Sequence, residues 1–115
     1  MRPLTILAAV ALWLSCVHVG AADDTPLPPD KWPTTLAEAV ADIIGGMSEE
    51  NKRLLRATKK EDLIQFHHGW GTGIRNGFGL WRGNDKLINS ACGKPCHPDD
   101  ASTVIMEAVW AAVQK

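Results

Sequence analysis

The chain has 115 residues, of which 45% are hydrophobic and 22% are charged, and its formal net charge is −1 at pH 7. This length accommodates one domain with a small core, whose stability depends on good packing or on a covalent staple. The near-neutral charge gives no electrostatic footprint for nucleic acid, so we expect no nucleic-acid partner.

The N-terminus has the three-part layout of a secretory signal peptide. Arg2 precedes an apolar run over residues 4–19, and small residues follow at positions 20–22. We expect cleavage after Ala21 or Ala22 and export of the mature chain to the periplasm or the exterior of a bacterium. The run is shorter than the roughly 20 apolar residues of a bilayer-spanning helix, so we expect no transmembrane helix in the mature chain.

Cys16 offers an alternative fate for this N-terminus. Leu14-Ser15-Cys16 is similar to the end of a bacterial lipoprotein cleavage site, where the cysteine becomes a lipid-bearing N-terminus. Trp13 does not suit that motif, and residues 19–21 form a good ordinary cleavage site. We therefore expect an unlipidated cysteine in the signal peptide, with a lipid anchor at Cys16 as the alternative.

The mature chain divides into a leader and one domain. Residues 23–31 read DDTPLPPDK, which is rich in proline and acid and predicts an extended leader. Residues 32–115 follow as a single domain. In this domain, helical spacing of apolar residues recurs and no alternating strand pattern is present, so we predict an all-α fold of about five short helices in a compact irregular bundle.

Local signals predict where these helices begin and end. Thr35 to Glu38 is a capping box that opens the first helix, which stops at Gly45-Gly46. Ser48 caps a second helix, and Thr58 to Glu61 is a second capping box that starts a third.

The third helix leads into a segment dense in glycine and aromatic residues, FHHGWGTGIRNGFGLWRGN over residues 66–84. We predict that the helix survives its glycines from Phe66 to Asn76 and packs closely against a neighbour. Asn76-Gly77 is the predicted stop, because both residues tolerate the left-handed conformation. A turn over residues 77–84 follows.

The last two helices have clear start signals. Asn84 can cap a short helix that bears Leu87 and Ile88. Pro98 suits the first turn of the last helix, where acidic residues also favour the helix dipole. Five residues form the predicted apolar face of this last helix: Val104, Ile105, Ala108, Val109 and Ala112.

The mature domain keeps two cysteines, Cys92 and Cys96, an even number for an oxidising compartment. We predict a disulfide that fixes the turn before the last helix.

A metal or haem protein is the alternative. CGKPCH is one residue longer than the haem attachment pattern C-x-x-C-H, and zinc could use both cysteines, His97 and one of His67 and His68. Our leading expectation is a protein without a cofactor.

A candidate recognition surface lies on the turn and at the start of the last helix. An arginine near the turn could pair with a carboxylate at that helix start, and an exposed Trp81 would suit a protein interface, whereas a buried Trp81 would fill the core. We predict binding of a protein or a small polar ligand, without enzymatic activity. The candidate residues are Arg75, Asn76, Trp81, Arg82, Asn84, Asp99 and Asp100.

A small hydrolase is the second alternative. His67 could act as a base with Asp99 or Asp100 if these side chains meet in an open cleft. A core histidine is the simpler interpretation, since adjacent histidines point to different faces of a helix and His67 lies beside Leu63 in the inward stripe. We find no nucleophile motif in the sequence.

Several segments together resemble a known family. WPTTLAEAV, MSEENKRLLR, IRNGFGLWRGN and HPDDAS with its following IMEAVW helix are similar to DUF6794, a small bacterial domain family of unknown function, over residues 32–113. The resemblance implies a compact helical domain in bacteria and lends no catalytic residue. Many proteins similar to this one look like domains without paired cysteines, so a disulfide would be a local feature of this chain.

Overall fold

A computed structural model describes residues 26–115. The predicted signal peptide and the Cys16 anchor lie outside this range. Within it the architecture is all-α, as predicted, with five α-helices and no strand. The α-helices are α1 (Leu36–Gly45), α2 (Glu49–Ala57), α3 (Thr72–Gly77), α4 (Asp85–Cys92) and α5 (Pro98–Val113). Three other helical segments are the 3-10 turns Pro29–Lys31 and Lys60–Phe66 and the π-helix His67–Gly71.

The starts of α1 and α2 confirm the predicted caps. The Thr35 hydroxyl accepts a hydrogen bond from the Glu38 backbone N–H at 3.1 Å, and the Ser48 hydroxyl accepts one from the Asn51 N–H at 3.0 Å. Glu38 reaches back one residue further than a standard capping box, because its carboxylate accepts from the Thr34 backbone N–H at 3.0 Å. Each cap satisfies donors that a helix start leaves unpaired.

Replacing Glu38 by glutamine should weaken the start of α1 in a pH-dependent way. The hydrogen bond from the Thr34 backbone lowers the pKa of the Glu38 carboxyl below its ordinary value of 4.5. The stabilisation is therefore complete above the unfolded-state pKa and is lost as pH falls through the lower folded-state pKa. Thermal unfolding of Glu38→Gln and of the natural chain should give a lower melting temperature for the variant at pH 7 and equal values in strong acid. A constant difference at every pH would contradict this.

The second predicted capping box is wrong. Thr58 ends α2 instead of starting a helix, because its hydroxyl donates to the Leu54 carbonyl at 2.8 Å and so satisfies the end of α2. Its own carbonyl accepts from the Trp110 indole N–H at 2.7 Å. The next helical segment starts after Lys59, without a side-chain cap.

The third predicted helix is a composite helix, residues 60–77, made of a 3-10 segment, a π-helix and α3. The chain does stay helical through Gly69, Gly71 and Gly73, as expected, although it is not a regular α-helix. The predicted stop at Asn76-Gly77 is in the right place, but the left-handed conformation expected there is not. α3 ends at Gly77, the Phe78 N–H still donates to the Ile74 carbonyl, and the chain turns into the left-handed region only at Gly79, where φ is +71°.

α5 is the centre of the domain and packs against all four other α-helices and the composite helix. Its buried face agrees with the prediction at Ile105 and Val109 and otherwise consists of Ala101, Ser102, Met106 and Val113. The other predicted positions on the face are half-buried. The buried apolar core is Ala39, Ile43, Met47, Leu55, Leu63, Trp70, Ile74, Phe78, Leu80, Leu87, Ile88, Ala101, Ile105, Met106, Val109 and Val113.

The connection from α4 to α5 contains the predicted disulfide between Cys92 and Cys96. Gly93 ends α4 in the left-handed conformation, with φ at +74°. Pro98 occupies the first turn of α5, as predicted. None of the helices in the described range is both long and apolar enough to cross a membrane.

Candidate functional site

The turn after α3 places Trp81 on the surface. The Arg82 and Asn84 N–H groups both donate to the Gly79 carbonyl, at 2.9 and 3.0 Å, which closes the turn. Leu80 points into the core, whereas the Trp81 side chain is 55% exposed. Of the two expectations for Trp81, the structure therefore has the exposed one, whereas Trp70 is buried in the core.

Trp81 is supported on one side by His97. The two rings meet edge to face, with centroids 5.3 Å apart and an interplanar angle of 87°. His97 is also the N-cap of α5, because its Nδ1 accepts the Asp99 backbone N–H at 3.0 Å. That hydrogen bond requires Nδ1 to be unprotonated and so assigns the proton of a neutral ring to Nε2. The ring that contacts Trp81 is thus held by the start of α5.

Arg82 lies on the other side of the turn and contacts the leader. Its guanidinium carbon is 5.3 Å from the centroid of the Trp32 ring, and its Nη2 donates to the Leu27 carbonyl at 3.0 Å. Trp32 Nε1 donates to the same carbonyl at 2.9 Å, and the Leu27 N–H donates to the Gly77 carbonyl at 3.1 Å. Arg82 is therefore bound to backbone and an aromatic ring rather than to a carboxylate.

Arg75 makes the ion pair that the sequence predicted for the turn. Its Nε lies 3.4 Å from Asp99 Oδ1, and its side chain is only 7% exposed. Nη1 donates to the Ser102 hydroxyl at 2.8 Å, and Nη2 donates to the Thr72 hydroxyl at 2.9 Å and to the His67 carbonyl at 3.2 Å. The guanidinium thus ties the composite helix to the first turn of α5 from below the surface.

His67 and Asp99 come close together, but no reactive nucleophile joins them. His67 Nε2 is 4.0 Å from Asp99 Oδ2, and His67 Nδ1 is buried without a hydrogen-bond partner. The Ser102 hydroxyl is fully buried, accepts from Arg75 and donates to the Asp99 carbonyl at 2.9 Å. A nucleophile must reach its substrate, so the buried Ser102 hydroxyl is not placed to act as one. His68 is exposed and His67 is half-buried, as expected, and the two rings meet edge to face with centroids 5.1 Å apart.

The two candidate asparagines have different surroundings. Asn84 is 3% exposed, its amide donates to the Phe78 and Pro33 carbonyls at 2.8 and 3.0 Å, and its oxygen caps α4 by accepting the Leu87 N–H. Its hydrogen-bonding groups are used inside the domain, so Asn84 shapes the turn. Asn76 is exposed, as is Asp100 in the first turn of α5.

The cysteines and His97, which the sequence offered as metal ligands, make other contacts in the structure. Cys92 and Cys96 are bonded to each other, so neither offers a free thiolate to a metal ion or a free thiol for haem attachment. The His97 Nδ1 lone pair accepts the N-cap hydrogen bond. Within residues 26–115 no group of three or more histidine, cysteine or acidic side chains is arranged to hold a metal ion.

Sequence reasoning missed three residues that organise this region. Trp32 and Leu27 meet Arg82 from the leader side, and Ser102 anchors Arg75 from α5. The glycine at position 79 was the available signal for the contact with Trp32. A Cβ at this position would overlap the Trp32 ring, so the close approach requires glycine. Nothing in the local pattern identified Trp32 as the neighbour of Gly79.

Comparison with known proteins gives one result. The family model described as a domain of unknown function (DUF6794) matches residues 32–112, which confirms the resemblance. No curated protein and no solved structure matches the chain.

Proposed function

Since this chain belongs to the DUF6794 family of domains of unknown function, we propose its role from its own geometry: a non-enzymatic module that binds a protein or small polar ligand. The contact region, here named the tip surface, consists of Trp81, Arg82 and His97. The single observation that carries the proposal is the exposed Trp81 side chain held against His97.

An exposed tryptophan with a fixed orientation favours binding. Tryptophan and arginine are the residue types that contribute most to protein interfaces. A side chain that is already ordered loses less conformational entropy when a partner arrives. His97 orders Trp81 in this way, while Arg75 and Asn84 hold the surrounding backbone from inside the domain.

We further propose that the module works in the periplasm or outside the cell. The Cys92–Cys96 disulfide supports an oxidising compartment, and the predicted signal peptide supplies a route to it. The Cys92–Cys96 disulfide directly precedes His97. An oxidising compartment, which keeps this disulfide formed, therefore also keeps the connection before the tip surface ordered.

Trp81→Ala should abolish binding and leave the fold intact. We expect the melting temperature to change by less than about 4 °C, because surface substitutions usually cost little. Trp70→Ala is the matched control, and its loss of a buried ring should cost about 3–5 kcal/mol. Circular dichroism during heating measures both effects. A large loss of stability in Trp81→Ala would mean that Trp81 serves the core instead.

Photo-crosslinking in the native bacterium tests the binding itself. A benzoylphenylalanine at position 81 keeps a large aromatic side chain there, unlike alanine, and should trap a specific partner, while the same group at Ile64, which is 70% exposed, should not. His97→Asn retains an N-cap but removes the ring against Trp81, so it should weaken trapping from position 82. Equal cross-linking from positions 81 and 64 would contradict the proposal.

A further inference from the structure

We infer that Trp32, Gly77 and Arg82 form a binding site for an extended peptide in which an aliphatic residue precedes proline, and that the chain's own Leu27-Pro28 fills it. This group of three residues is named the backbone clamp. The inference rests on the proposed function, since it names the class of partner for the side of the tip surface that holds Arg82.

The backbone clamp recognises both polar groups of one residue. The Leu27 N–H donates to the Gly77 carbonyl, and the Leu27 carbonyl accepts from Arg82 Nη2 and from Trp32 Nε1, at 3.1, 3.0 and 2.9 Å. One of the two donors is charged, and charge-assisted hydrogen bonds are stronger than neutral ones. Recognition through the main chain is the way in which proteins hold extended peptides of varied sequence.

The domain itself positions the backbone clamp. The Trp32 ring lies directly on Gly79, whose missing Cβ makes this approach possible, and the Arg82 guanidinium lies over the Trp32 ring. All three residues of the clamp fall within the part of the chain that matches the family, residues 32–112, whereas Leu27 lies before it. The receptor therefore belongs to the domain and the bound segment belongs to the leader.

The bound segment has the features of a peptide ligand. Pro26 and Pro28 flank Leu27 and restrict it to extended conformations, and Pro28 has φ −68° and ψ 153°, which is polyproline II geometry. Both prolines are exposed, while the Leu27 side chain is half-buried against the edge of the core. The contact thus consists of one aliphatic side chain, one pair of backbone groups and a stiff surrounding chain, which a segment of another protein can reproduce.

A tethered segment competes with any free peptide. Its effective concentration is on the order of millimolar for a short connection, so a peptide of moderate affinity binds the natural chain at least about tenfold more weakly than a chain whose own segment has been released. An external partner binds the backbone clamp only if its affinity and concentration together outweigh the effective concentration of the tethered segment.

A peptide titration tests the inference on the full mature chain. The probe is a fluorescein-labelled peptide of sequence DDTPLPPD, residues 23–30. Leu27→Asp should release the leader, and fluorescence anisotropy should then show binding at least about tenfold tighter than to the natural chain. Leu27→Gly serves the same purpose if the charged residue destabilises the domain. Adding Arg82→Ala should remove most of the binding, whereas Arg53→Ala, an exposed arginine on α2, should not.

Hydrogen exchange gives a second readout without releasing the leader. The Leu27 amide should be protected in the natural chain and should exchange at least about tenfold faster in Arg82→Ala. The inference is wrong if the peptide binds the released and natural chains equally, or if Arg82→Ala changes neither binding nor exchange. Cross-linking from position 81 is a separate result, so a chain that binds the peptide but gives no cross-link retains the clamp and loses the proposed function.

Discussion

Gly79→Ala should lower the free energy of unfolding by about 2–5 kcal/mol, a large part of the stability of a small domain. Gly79 has a φ of +71°, where an L-residue is disfavoured by about 1–2 kcal/mol. The new methyl group would also overlap the Trp32 ring, and overpacking typically costs a further 1–3 kcal/mol or so. Chemical denaturation followed by circular dichroism measures the total.

Gly93→Ala is the matched control for this substitution. Gly93 has nearly the same φ, +74°, but a Cβ there has nothing within 4 Å. Gly93→Ala should therefore lower the free energy of unfolding only by the cost of the left-handed conformation, about 1–2 kcal/mol. Combining Gly79→Ala with Trp32→Ala should recover part of the loss, since the clash disappears. Equal losses for Gly79→Ala and Gly93→Ala would show that the Trp32 contact is not what requires glycine.

Arg75→Met should destabilise the domain by about 2–4 kcal/mol. The substitution removes the donors to the Ser102 and Thr72 hydroxyls and to the His67 carbonyl, and Ser102 is fully buried. Asp99 is less affected because its side chain is 45% exposed and water can solvate it. Methionine keeps much of the length of the side chain, so the loss measures the missing guanidinium.

Arg82→Met is the control for Arg75→Met. Arg82 is exposed, and its removal should cost about 1 kcal/mol or less. The loss of unfolding free energy in Asp99→Asn should lie between the losses in these two variants, because Arg75 keeps its hydroxyl and carbonyl acceptors. Urea unfolding of the three variants gives the order directly, and similar values for Arg75→Met and Arg82→Met would contradict a structural role for the buried guanidinium.

The helix starts that the sequence predicted correctly depend on neighbours within three residues. Thr35, Ser48 and Asn84 each accept a backbone N–H three positions later, and Pro98 needs only its own ring to suit a first turn. Thr58 has the same local pattern and was predicted wrongly. Its carbonyl meets Trp110, which is 52 positions away, and its hydroxyl is used by the preceding helix.

The candidate site was predictable where charge alone decides the contact. An ion pair between an arginine near the turn and a carboxylate at the start of the last helix was predicted, and the structure selects Arg75 and Asp99 from the two arginines and two aspartates that the sequence offered. The role of His97 could not be predicted, since its contact with Trp81 depends on how the α4–α5 connection folds. The same holds for Arg82, whose contact with Leu27 joins residues 55 positions apart.

The π-helix His67–Gly71 should allow the composite helix to lose one residue without changing which side chains face the core. A π-turn holds one residue more than the corresponding α-turn. Deleting Gly69, which is exposed and has open space around it, would allow ordinary α hydrogen bonding to run through the segment. The residues on either side of the deletion would then keep nearly their present orientation, because the π-turn is what accommodates the additional residue. Leu63 would stay in the core, so a one-residue deletion here should be tolerated better than one within the regular helix α5, where the flanking residues would rotate by roughly 100°.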